Sequence, residues 1–117
     1  MAVLVKNTLI KLEEARQTGT LVKLEDNVHV KKLIKALQEE HLVQEKHENL
    51  VQVNKSATNF SAFMETISTK KNELTKWAAV LLPTITGHLI IFTRMGIMTH
   101  HEANKNQIGG QIIGIAY

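Results

Sequence analysis

Cysteine is absent from the 117-residue chain, which excludes disulfide frameworks, thiolate metal sites and thiol catalysis and allows a reducing compartment. A long apolar run is missing too. The longest uncharged stretch, Trp77 to Thr93, is interrupted by Pro83, Gly87 and His88 and contains several threonines, so no transmembrane helix is expected. The N-terminus "MAVLVKNTLIKLEEARQTGT" has no continuous apolar segment ending at a small-residue cleavage site, and Glu13 and Glu14 do not suit a transit peptide. The chain therefore reads as mature, or as made in the compartment where it works. No internal repeat or low-complexity tract is visible.

What is present is enough for a folded core. Hydrophobic residues make up 44% of the chain, which suits one compact domain or two small lobes sharing a core. The net charge of +3 is a mild bias toward polyanionic partners and identifies none by itself.

Periodicity supplies the elements. Val5, Leu9 and Leu12 recur at helical spacing between Val3 and Arg16, and Gly19 offers a stop. "TLVKL" alternates as a short strand does. Asp26 and Asn27 are N-cap candidates for a second helix with Val30, Leu33, Ile34 and Leu37 on one face. "NLVQVNKS" alternates again, and "FSAFMETIS" is expected to pair with it across the polar turn Lys55 to Asn59. Composition changes after "TKKNE", and charges become sparse from Leu74 onward. The expected organisation is a first lobe over 1–70 and a second over 71–117. In the second lobe "HLIIF" and "QIIGIA" lack alternation and read as strands buried on both faces.

The adjacent pair His100 and His101, followed by Glu102, raises the question of a metal site. Neighbouring helical residues point about 100° apart, so the two rings do not turn to one ion, and His29, His41, His47 and His88 show no ligand spacing. No metal or other cofactor is expected. Thr99 to Glu102 instead reads T-x-x-E, a capping box that employs Glu102 in starting a helix. This places His100 and His101 in an exposed first turn, suited to an anion. Gly96, and Gly109 with Gly110, mark tight turns or close backbone approach on either side of that helix.

The order of these features resembles the C-terminal signature of the small-subunit ribosomal protein eight family of bacterial and organellar type. Thr93, Gly96, Ile97, Met98, Thr99, Glu102, Ala103, Lys105, Ile108, Gly109, Gly110 and Tyr117 fit it without a gap. "VKLEDNVHVKKLIKALQEEHLV" is similar to the family's strand and second helix. The chain departs where the family carries serine, threonine, serine and lysine: Phe92, Thr93, Arg94 and Met95 keep only the threonine. Val28 stands in place of a lysine, Lys71 and Asn72 stand near a missing proline and glycine, and Gln111 replaces a glutamate. This erosion resembles a mitochondrial member, with plastid and bacterial cytoplasm as alternatives.

The resemblance implies an α+β fold with an N-terminal αβαββ lobe and a C-terminal lobe of antiparallel strands with a short helix. It implies direct binding to the central domain of small-subunit ribosomal RNA, with neighbouring small-subunit ribosomal proteins as further partners. No catalysed reaction, small-molecule substrate or membrane is implied. The contact residues carried over are Thr93, Arg94, Gly96, Thr99 and His100, with Asn27, Lys31, Ser68 and Lys70 from the first lobe. Two other classes remain open: a free regulatory RNA-binding module of the same fold, and a small metal-dependent hydrolase using the histidines and Glu102.

Overall fold

The computed structural model describes residues 2–83 and 86–117; Thr84 and Ile85, inside the uncharged run, lie outside the described residues. Helix α1 (Ala2–Thr18) opens the chain and buries Val5, Leu9 and Leu12 completely. It ends where Gly19 takes φ +75°, a left-handed conformation that favours glycine. After the short strand β1 (Val22–Lys23), Asn27 caps helix α2 (Val28–Glu39), its Oδ1 accepting the His29 amide at 2.8 Å. The stripe Val30, Leu33, Ile34 and Leu37 is buried as its spacing predicts.

Strands β2 (Val43–His47) and β3 (Leu50–Val53) form an antiparallel hairpin, and β1 adds on the other side of β3, giving the order β1-β3-β2. The αβαββ unit is therefore present, but its last two strands are β2 and β3. The segment "FSAFMETIS" forms β4 (Phe60–Thr69), which pairs with the last strand β7 (Gly110–Ala116) and not with β3. The expected hairpin fails for a physical reason. β7 is buried on both faces and open along both edges, so it takes β4 on one side and β5 (His88–Thr93) on the other. With β6 (Gly96–Thr99) the second sheet runs β4-β7-β5-β6, all antiparallel. Residues 60–69 thus belong to this sheet although they fall within the segment read as the first lobe.

The second lobe also holds a helix in addition to the short one expected. A 3-10 turn (Lys71–Glu73) leads into α3 (Leu74–Leu81), and α4 (His100–Lys105) joins β6 to β7. α3 packs Trp77, Ala78 and Leu81 against one face of the second sheet, over Leu89, Ile91 and Ile112. The opposite face, through Ile90, Ile113 and Ala116, joins α1, α2 and the first sheet in one hydrophobic cluster. Polar ties cross the same boundary, among them one from Glu13. Glu13 accepts two hydrogen bonds of 2.8 Å from Arg16 and one of 3.1 Å from the Phe60 amide. The bidentate Arg16 contact, helped by the Phe60 amide, lowers the Glu13 carboxyl to about 2.

Candidate nucleic-acid interface

The second sheet gathers residues far apart in sequence at one of its ends. Its register sets Thr69 against Gly110, Phe92 against Gln111 and Thr93 against Gly96. The tips of β4, β7 and the β5–β6 turn therefore meet. A Cβ on Gly109 would strike the Thr69 carbonyl and lie 2.9 Å from Lys70 Cα, so glycine is required there by close backbone approach.

The β5–β6 turn is held from within. Thr93 is buried, and its hydroxyl donates to the Gly96 carbonyl at 2.9 Å while accepting the Met95 amide at 3.1 Å. Gly96 has φ +108°, and Lys32 reaches from α2 to donate to the Met95 carbonyl at 3.1 Å. Thr93 and Gly96 shape the turn, and the Thr93 hydroxyl is not presented to a ligand. What the turn presents is Arg94, which is exposed and makes no hydrogen bond or ion pair among the described residues. Arg94, Lys71, Gln107, Ile108 and Gly109 line an open cavity of about 350 Å³. Lys70 and Ser68 are exposed on the adjoining end of β4.

Of the first-lobe candidates, Ser68 and Lys70 lie beside this face, whereas Lys31 lines a separate cavity with Glu45, Glu48 and Asn49; α2 reaches the turn through Lys32 and His29. The Lys32 contact ties the first turns of α2 to the β5–β6 turn, and the His29 ring lies 5.1 Å from that of Phe92, itself half-buried. Asn27 is occupied as the helix cap. Lys31 pairs with Asp26 at 2.8 Å, which lowers the Asp26 carboxyl and raises the Lys31 ammonium.

Two expectations at α4 are corrected. Thr99 does cap the helix, its Oγ1 accepting the Glu102 amide at 3.4 Å, but Glu102 returns no bond to the Thr99 amide among the described residues. Only the threonine half of the box is therefore formed. His100 is not exposed: it is buried, its Nδ1 accepts the Leu89 amide at 3.0 Å, and burial pulls its pKa down to about 4. A neutral buried imidazole offers no charge to a phosphate. His101 is the exposed member of the pair.

Lys32, Lys71 and Gln107 belong to the face although none of them is a contact candidate from the sequence. For Lys71 and Gln107 the signal was their closeness in the chain to the candidates Lys70 and Gly109. For Lys32 only a fold that lays α2 beside the β5–β6 turn reveals it. Among the described residues no group of three or more histidine, aspartate or glutamate side chains could hold a metal ion, and no helix is long and apolar enough to cross a membrane.

A family model described as ribosomal protein S8 matches residues 3–117. The chain belongs to the ribosomal protein S8 family. It is 39% identical over 61 residues to the small ribosomal subunit protein uS8 of Cenarchaeum symbiosum, covering 51% of this chain and 47% of that protein. It is 33% identical over 69 residues to uS8 of Kluyveromyces marxianus, covering 58% and 53%, and matches uS8A of Saccharomyces cerevisiae at the same identity and coverage. The chain thus spans about half the length of the curated relatives it matches. The S8 family is one of ribosomal structural proteins and not of enzymes. Both sheets and the flanking helices lie within the S8 match, which spans nearly the whole chain. The relatives come from an archaeon and from yeasts, and their names specify no organelle.

Proposed function

We propose that this chain is a structural constituent of the small ribosomal subunit that binds the central domain of small-subunit ribosomal RNA directly and supports its assembly. The observation that carries the reading is the family match over residues 3–117. The geometry that supports it is the face at the end of the second sheet. Arg94, Lys70 and Lys71 stand exposed there beside the Gly109 backbone. Their cations supply the salt-dependent attraction to phosphate, and a planar guanidinium at Arg94 adds bidentate phosphate contact or stacking on a base. Backbone crowded at Gly109 gives the face a fixed relief, which suits RNA recognised by its shape and by its unpaired bases.

Thr93, Gly96, Thr99 and His100 act in this reading by setting the turn and the helix that present Arg94. Asn27 and Lys31 position the start of α2, and Ser68 extends the face along β4. Neighbouring small-subunit proteins are the further partners. The ribosome is proposed to be mitochondrial, a reading supported by the substitutions at Val28, Phe92, Arg94, Met95 and Gln111; plastid and bacterial cytoplasm are the alternatives. Sucrose-gradient fractionation of each compartment tests both levels. The expected result is co-sedimentation with a small ribosomal subunit of mitochondrial origin. Recovery only as free protein removes the ribosomal assignment and leaves the regulatory module; recovery in another compartment's subunit removes only the organelle.

A further inference from the structure

The face described above lies at the Thr93 end of β5. At the other end, His88 meets His100 and His101 of α4 in a cluster whose protonation the RNA reading does not use. His88 is 7% exposed, its Nε2 lies 3.5 Å from Glu40 Oε2 at the end of α2, and its Nδ1 is buried without a hydrogen-bond partner among the described residues. His100 is also buried and accepts the Leu89 amide at Nδ1, so its own proton sits on Nε2. The ring of His101 stacks on His100 with centroids 3.9 Å apart and meets His88 edge-on at 5.3 Å. Lys32, Lys35, Glu39 and Glu40 of α2 and Glu102 of α4 line the adjoining groove with His101.

This arrangement accommodates one proton and resists more. A proton on His88 faces Glu40. A further proton on His100 places a like charge 6.4 Å from the first in partly buried surroundings. On His100 the incoming proton goes to Nδ1, the atom that accepts the Leu89 amide, so that hydrogen bond is lost. We propose that the buried imidazoles of His88 and His100, covered by the His101 ring, form a proton-sensitive latch, which when neutral docks α4 on β5 and the end of α2, and when protonated releases α4. Burial, the leading cause, lowers both His88 and His100, the latter from 6.5 to about 4. The docked state therefore binds fewer protons than the released one. Docking is complete above 6.5 and is lost as the pH falls toward 4. Because α4 joins β6 to β7, its release loosens the chain on both sides of it.

Hydrogen exchange of the full chain followed by NMR at pH 7 and pH 5 tests the latch. The reporters are the Leu89 amide and the amides of Asn106 and Ile108, bonded to Glu102 and Ala103 at 2.9 and 3.1 Å. Their protection factors are expected to fall roughly tenfold or more at the lower pH, the linkage of about one proton. Ile112 and Ile113, in the middle of β7, are expected to keep theirs. In His100→Asn, whose side-chain oxygen can replace Nδ1 as acceptor without titrating, the Leu89 loss is expected to shrink. His88→Gln, which removes the second buried imidazole, is expected to reduce it as well. Equal loss at Ile112 and Ile113, no loss in the unmodified chain, or an unchanged loss in both variants overturns the proposal.

Discussion

Gly96 and Gly109 look alike in the sequence, yet they are required for different reasons. At Gly96 the obstacle to a side chain is mainly conformational: φ is +108°, and the nearest atom, Lys32 Nζ, ends a flexible chain that can move. At Gly109 the obstacle is the backbone of Thr69 and Lys70, which cannot move without opening the sheet. Gly96→Ala is expected to lower stability by about 1–3 kcal/mol, the range for a non-glycine residue held in a disfavoured backbone region. A denaturant titration reads this, and an unchanged midpoint would show that the turn relaxes freely. The sequence marks both glycines as tight turns or points of close backbone approach. It could not assign the causes, because φ and the approach of β4 are products of tertiary pairing.

At the scale of elements, α4 is the instructive case. Its T-x-x-E spacing was legible and its start at Thr99 is as expected, but only the threonine half of the motif is made. Thr99→Ala is accordingly expected to destabilise by about 1 kcal/mol, as for other lost N-caps, whereas Glu102→Gln is expected to change thermal stability little. Equal losses in the two variants would mean that the reciprocal bond forms in solution. β2 has no signature in the sequence, because only Val43 of its five residues is buried and no alternation results. α3 was legible in principle: Leu74, Trp77, Ala78 and Leu81 recur at helical spacing, and all four pack on the second core cluster. Their aliphatic setting resembled the strands that follow. β4 is legible as a strand in the sequence, but its partner is not, because edge preference depends on the distant β7.

For the whole molecule, the decisive fact is that the first cluster draws from both sheets and from both long helices. Such a shared core makes the two sheets one cooperative unit. Trp77 sits in the second cluster, so its fluorescence reports that side, while far-ultraviolet circular dichroism reports all the helices. The two probes are expected to give one coincident unfolding transition. Separated midpoints would mean that the sheets melt independently. The same unity is what makes the candidate face possible: α2, β4, the β5–β6 turn and the start of β7 contribute to it together, through contacts such as Lys32 with Met95. Family membership was legible in the spacing of the C-terminal residues. Which of those residues point outward was not, since Thr93 and His100 are buried while Arg94 is exposed.

The claim that this face binds small-subunit ribosomal RNA is tested most directly by the salt dependence of binding to a central-domain RNA fragment, compared between the unmodified chain and Arg94→Ala. Arg94 is exposed and makes no hydrogen bond or ion pair among the described residues, so the substitution should leave the fold intact. The expected result is affinity that falls steeply with salt in the unmodified chain, and a logarithmic slope shallower by roughly one in the variant. Salt-independent binding, or slopes and affinities that coincide in the two proteins, would contradict it.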